Sequence, residues 1–123
     1  MALLGILLFL GQRPLHAVTK QEIQLVYATF DPLLDGEPTV APALQAAPDS
    51  PVQLLQLTGP MQPEWAADFA TQNVTFYGYL PQFTYLVRLE AGSETAVANH
   101  PAVRWLGAYN PAYKISPTLA DGR

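Results

Sequence analysis

Between residues 74 and 89 the chain carries two runs, Val74-Thr-Phe-Tyr-Gly-Tyr79 and Phe83-Thr-Tyr-Leu-Val-Arg-Leu89, separated by Leu80-Pro-Gln82. β-Branched and aromatic residues fit a pleated, half-buried surface, and the proline-containing break marks a turn, so the two runs predict a hairpin. A hairpin alone is marginal in water and needs further strands or helices to cover it. The flanking sequence supplies them. Val52-Gln-Leu-Leu-Gln-Leu-Thr58 is a strand-length apolar run closed by Gly59-Pro60, and Ala102 to Tyr109 is another. Between the first of these and the hairpin, Pro63 suits the first turn of a helix, Glu64 sits at the positive end of its dipole, and Trp65 and Phe69 share one face. This helix is expected to end near Asn73. Gly92-Ser93 opens a second helix through Ala96 and Val97, which His100-Pro101 must stop because the residue before proline avoids the helical region. The order β-α-β-β-α-β is the ferredoxin-like, split-βαβ pattern of the α+β class, a four-stranded antiparallel sheet with both helices on one face.

Side chains alternate across a strand. Val74, Phe76 and Gly78 therefore oppose Thr75, Tyr77 and Tyr79, and Val103, Trp105, Gly107 and Tyr109 oppose Arg104, Leu106 and Ala108. Neither set is purely polar, yet two short helices cover only one face, and the free face of an antiparallel sheet is normally solvated and polar. The second face is expected to meet a partner. The plainer alternative is that tyrosines and threonines sit on an open face with their polar tips in water.

Upstream of residue 51 the pattern fades. Lys20 to Phe30 has the alternation of a short strand or an ordered tail. Asp31 to Ser50 is rich in Pro, Ala, Asp and Gly with no period that buries a face, and reads as a linker with one helical turn around Ala43 to Ala47. Met1 to Leu10 is an apolar run of signal-peptide length, with Leu15-His-Ala17 as a cleavage site, although no Lys or Arg precedes it and Arg13 follows; a buried element or a retained anchor are the alternatives. The expected division is a leader over 1–17, an N-terminal segment and linker over 18–50, a compact domain over 51–109, and an extended tail over 110–123.

The chain is not disordered: half of its 123 residues are hydrophobic. Its net charge of −4 with only 13% charged residues leaves no basic stripe for a phosphate backbone, so nucleic acid is not an expected partner. The absence of cysteine removes disulfides, thiolate nucleophiles and thiolate zinc ligands. His16 falls in the leader, and His100 ends a helix, where a structural role is expected. Asp31, Asp35 and Glu37 lack the spacing of a calcium loop and read as a solvated acidic loop. Asn73-Val-Thr75 is a bare glycosylation sequon. Arg104 reads as a surface or ion-paired residue. No phosphate loop, nucleophile elbow or metalloprotease motif occurs, so neither enzyme activity nor a cofactor is expected.

Thr29-Phe-Asp-Pro-Leu33, the proline-rich stretch after it, Gln56-Leu-Thr-Gly-Pro60 with Trp65, Tyr79-Leu-Pro81, Tyr85-Leu-Val-Arg88 and Val103-Arg-Trp-Leu-Gly107 running to Tyr109-Asn-Pro-Ala-Tyr-Lys114 together resemble the N-terminal region of secreted bacterial subtilisin-like (S8) serine peptidases. That region is an inhibitor I9-like propeptide. The resemblance implies a domain that assists folding of the protease, occupies its cleft and is exported with it to the periplasm or outside the cell, without stable membrane association once the leader is removed. By the same resemblance, Asn110, Pro111, Ala112, Tyr113, Lys114 and Ile115 form the protease-binding tail, with Tyr113 in a pocket and Lys114 near a processing point. The Asp, His and Ser segments of the catalytic domain are missing, so the chain corresponds to the N-terminal part of a precursor; a standalone extracellular interaction module or protease inhibitor is the alternative.

Overall fold

A computed structural model describes residues 19–117. The leader expected over 1–17 and the last residues of the tail lie outside them. The architecture is α+β, with two α-helices and two antiparallel sheets among the described residues. A small sheet pairs β1 (Ile23–Gln24) with β2 (Thr29–Phe30). The main sheet contains β3 (Val52–Leu57), β4 (Thr75–Leu80), β5 (Thr84–Arg88) and β6 (Val103–Ala108), in the spatial order β4-β5-β3-β6 with every neighbouring pair antiparallel. Helix α1 (Pro63–Thr71) connects β3 to β4, and α2 (Glu94–Ala98) connects β5 to β6.

β3 is central, which explains why its sequence is almost continuously apolar: it is covered on both sides. Leu55 and Leu57 join Phe69 of α1, Val97 of α2, Val74, Val87 and Leu89 in one core. Leu54 points the other way, into a second core with Val40, Ala112 and Tyr113, against which Leu25, Tyr27, Leu44, Leu86, Trp105 and Tyr109 pack.

That second core corrects two expectations. The stretch read as a linker, Asp31 to Ser50, is packed, with Asp31 and Val40 buried, and its one helical turn is a 3-10 turn at Pro42–Leu44; the short strand expected before it is the β1–β2 pair, which buries Ile23 and Phe30. The tail expected to run extended from Asn110 instead forms a 3-10 turn at Pro111–Lys114 that buries Ala112 and Tyr113. The sheet face expected to await a partner is covered by the chain's own two flanks. Periodicity misses such a cover because an irregular segment can bury apolar residues without presenting a repeating face. Each buried large side chain contributes about 1.5–3 kcal/mol of transfer free energy, enough for a handful to hold an aperiodic strap.

α1 starts with Pro63 in its first turn and Glu64 beside the positive end, as expected, and stops where Asn73 adopts φ 60°. In that left-handed cap the Val74 N–H reaches the Phe69 carbonyl at 3.0 Å. The β4–β5 turn also holds Gln82 at φ 64° and Phe83 at φ 58°, costly values for residues with side chains. Three bonds pin it: the Gln82 carbonyl accepts from Gln56 Nε2 at 3.3 Å, the Phe83 carbonyl accepts from Leu57 N–H at 2.8 Å, and Tyr79 Oη accepts from Phe83 N–H at 3.3 Å.

In β6, Gly107 is required by its neighbour. The Trp105 indole lies across the space where a Cβ at position 107 would stand, with Cζ2 and Cη2 in direct overlap. Gly107→Val is expected to displace Trp105 from Phe30, its edge-on ring partner at 6.3 Å, and to destabilise by about 1–3 kcal/mol in chemical denaturation.

Candidate binding site

Asp31 and Arg104 lie 73 positions apart and meet on the covered face of the sheet. Arg104 Nη1 donates to Asp31 Oδ1 at 3.0 Å and Nη2 to Oδ2 at 2.9 Å, a two-pronged contact, and Nη1 also donates to Gln56 Oε1 at 2.7 Å. The Asp31 carboxylate takes further bonds from the backbone N–H groups of Gln21, Leu33 and Leu34. Burial alone pushes its carboxyl up, but the guanidinium and the three N–H groups outweigh that effect and hold it well below the usual carboxylate range. Asp31 is therefore not part of a solvated acidic loop. Its side chain is fully buried and Arg104 is nearly so. Arg104 is the ion-paired residue its sequence suggested. A break in the β3–β6 register between Gln56 and Leu57 positions it: Gln56 pairs with Trp105 and Leu57 with Val103, so Arg104 occupies a bulge that turns it toward Asp31.

This cluster is a clasp between the N-terminal strap and the sheet. Both side chains are almost wholly withdrawn from solvent, and both Arg104 Nη atoms and both Asp31 carboxylate oxygens are hydrogen-bonded. His100 is likewise spent in structure. Its Nδ1 accepts from Ala102 N–H at 3.0 Å, so the proton sits on Nε2, which donates to Asp68 at 2.8 Å, while the ring packs tilted against Phe69, centroids 4.7 Å apart. Among the described residues no group of three His, Asp or Glu is placed to hold a metal ion, and no helix is long and apolar enough to cross a membrane.

A groove of about 730 Å³ opens on the sheet beside β4. Tyr77, Leu86 and Val52 form its floor from the sheet, Gln45 to Ala47 with Asp49 to Pro51 form one wall, and Tyr109, Pro111 and Lys114 form the other. Of the residues expected in the tail, Pro111 and Lys114 thus line the groove. Asn110 Oδ1 accepts from Ala46 N–H at 2.8 Å and ties the two walls together. Ala112 and Tyr113 anchor the turn from inside, and the Ile115 N–H closes it onto the Ala112 carbonyl at 3.2 Å. Tyr113 fills a pocket in its own chain, against Tyr27, Phe30 and Tyr109, and not one in a partner. Lys114 Nζ stands 5.6 Å from the centre of the Tyr109 ring, the distance of a cation–π contact. Burial pushes the phenols of Tyr85, Tyr109 and Tyr113 up, so these three hydroxyls stay neutral at any ordinary pH.

The model of a family described as Domain of unknown function (DUF8729) matches residues 24–110. The chain belongs to this family. No curated protein and no solved structure matches it. The DUF8729 span begins within β1, so the strap and Asp31 belong to the same family unit as the sheet and Arg104 that they contact. It ends at Asn110, the residue that ties the groove walls.

Strict alternation along β4 misplaces one residue beside this site, Tyr79. The β4–β5 register shifts between Phe76 and Gly78, so Tyr77 is an extra residue in a bulge. Tyr77 faces the groove, opposite Phe76 as alternation expects, but the extra residue returns Tyr79 to the helix side with Phe76, ring to ring with Tyr85 at 5.2 Å. The glycine at 78 is the only local sign of such a break.

Proposed function

We propose that the chain is a noncatalytic protein-binding domain, built as a ferredoxin-like split-βαβ unit and exported as the propeptide of a subtilisin-like serine peptidase, whose folding it assists and whose cleft it occupies. The spatial order β4-β5-β3-β6, with a helix in each connection between strands that are not neighbours, supports the ferredoxin-like assignment. The observation that carries the binding reading is the groove at Tyr77. It combines a tyrosine that is 55% exposed with a wall formed by Tyr109, Pro111 and Lys114, the same segment that the family resemblance points at a protease. Because the strap covers the broad sheet face, the contact moves to this groove and to the outer edge of β4.

A standalone interaction module or inhibitor has one observation in its favour: the chain's own residues cover both sheet faces, so no partner is needed to complete a core. The full chain, titrated into a panel of secreted bacterial subtilisin-like peptidases, is expected to inhibit at least one of them and to speed its refolding from denaturant. Tyr77→Ala should weaken inhibition by about tenfold or more, as for an exposed aromatic anchor, with the unfolding midpoint little changed. Inhibition without any effect on refolding favours the standalone inhibitor. Neither effect on any peptidase removes the propeptide reading.

A further inference from the structure

Of the two edge strands of the main sheet, β4 is the uncharged one, and among the described residues no strand pairs with its outer side. β4 pairs with β5 alone, and its residues Thr-Phe-Tyr-Gly-Tyr-Leu include no Lys, Asp, Glu or Pro, the residues that usually guard a sheet edge. Tyr77 and Tyr79 are 55% and 57% exposed. The bulge sends one to each face of the sheet, so they flank the line along which another strand would lie. Gly78, between them, is exposed, and the space above it is open. Glycine inside a strand often marks close approach of another backbone.

The two ends of this edge differ in charge. At the Thr75 end lies a second groove of about 740 Å³, lined by Thr75, Asp49, Glu90 and Glu94 with Arg88 as its one cation. None of these four charged residues takes part in an ion pair among the described residues. At the other end the turn Pro81-Gln82-Phe83 is uncharged. Asp49 and Pro51, at the entry to β3, line both this acidic groove and the tyrosine groove, so the two meet at the Thr75 end of the sheet.

We propose that β4 accepts an extended segment of a partner protein as a further strand, and that this segment is mainly uncharged with lysine or arginine at the end that reaches Asp49, Glu90 and Glu94. Main-chain bonds along β4 supply affinity, and alternate side chains falling toward Tyr77 and the acidic groove supply choice. Antiparallel addition, the more stable arrangement per residue, puts the basic residues at the C-terminal end of the segment. The proposal rests on the reading of the chain as a protein-binding domain and names what that domain grips.

The test uses the full chain and two labelled peptides, Val-Thr-Val-Tyr-Val-Lys-Lys and Val-Thr-Val-Tyr-Val-Glu-Glu, in fluorescence anisotropy and in backbone amide NMR. The lysine-ended peptide is expected to bind at least about tenfold more tightly, with amide shifts centred on Thr75 to Leu80. The double variant Asp49→Lys with Glu94→Lys should lose or reverse that preference. Equal binding of both peptides, or shifts centred away from β4, overturns the proposal. So does a concentration-dependent dimer that shifts the β4 amides while neither peptide does, since the occupant is then a second copy. Binding of the lysine-ended peptide without inhibition of any peptidase upholds the proposal while the propeptide reading falls; inhibition with no peptide preference does the reverse.

Discussion

Asp31→Ala is expected to destabilise the chain by about 3–5 kcal/mol in urea or guanidinium unfolding, the range for breaking a buried pair by removing one partner. Most of that cost comes from what is left behind. Arg104, with its side chain only 6% exposed, would keep its charge and lose both carboxylate bonds, and the N–H groups of Leu33 and Leu34 would lose their acceptor. The double variant Asp31→Ala with Arg104→Met should recover a large part of the loss, because a neutral apolar pair carries no uncompensated charge. Recovery of less than half would mean that the clasp contributes net stability beyond avoiding an orphaned charge. The same pair sets an acid limit. The folded-state pKa of Asp31 lies below its unfolded value, so its contribution is fully present above about pH 4 and fades as pH falls toward the lower, folded value. Asp31→Asn, which cannot ionise, should show a shallower fall in stability between about pH 4 and pH 2 than the parent chain.

Tyr113→Ala is expected to cost about 3–5 kcal/mol, as other large-to-small changes at buried aromatic positions do. The ring is 2% exposed and touches three aromatic neighbours, two of them in the strap, so its loss opens a cavity between strap, sheet and C-terminal turn. Lys114→Ala, one residue on, should change stability little because its side chain is exposed. The contrast separates two views of this segment. A tail built to fill a partner's pocket would make Tyr113 dispensable for folding and important for binding; a packed turn makes Tyr113 structural and leaves Pro111 and Lys114 to face the groove.

The elements from Val52 to Ala108 were legible because their signals are local. Alternation in Thr84 to Arg88, the continuous apolar run of β3 and the Pro63-Glu64 start of α1 each depend on a few neighbours. The site was only half legible. Pro111 and Lys114 lie in the segment that the resemblance points at a protease, whereas strict alternation puts Tyr77 and Tyr79 on one face and the bulge at Tyr77 separates them. Arg104 was read as an ion-paired or surface residue, but no spacing rule connects it to an aspartate 73 positions earlier.

What the sequence by itself determined is the set of elements and their order, since turn chemistry, proline positions and the period of apolar residues act over a few residues at a time. Only the tertiary structure decided what lies on the second face of the sheet. Ile23, Phe30, Val40 and Tyr113 have no common period and come from both flanks of the strand and helix pattern, so their shared burial appears only once the chain has closed around β3. Burial free energy depends on area removed from water and not on regular spacing. An aperiodic strap therefore covers a sheet as effectively as a helix does, and the groove at Tyr77 is the part of that face it leaves open.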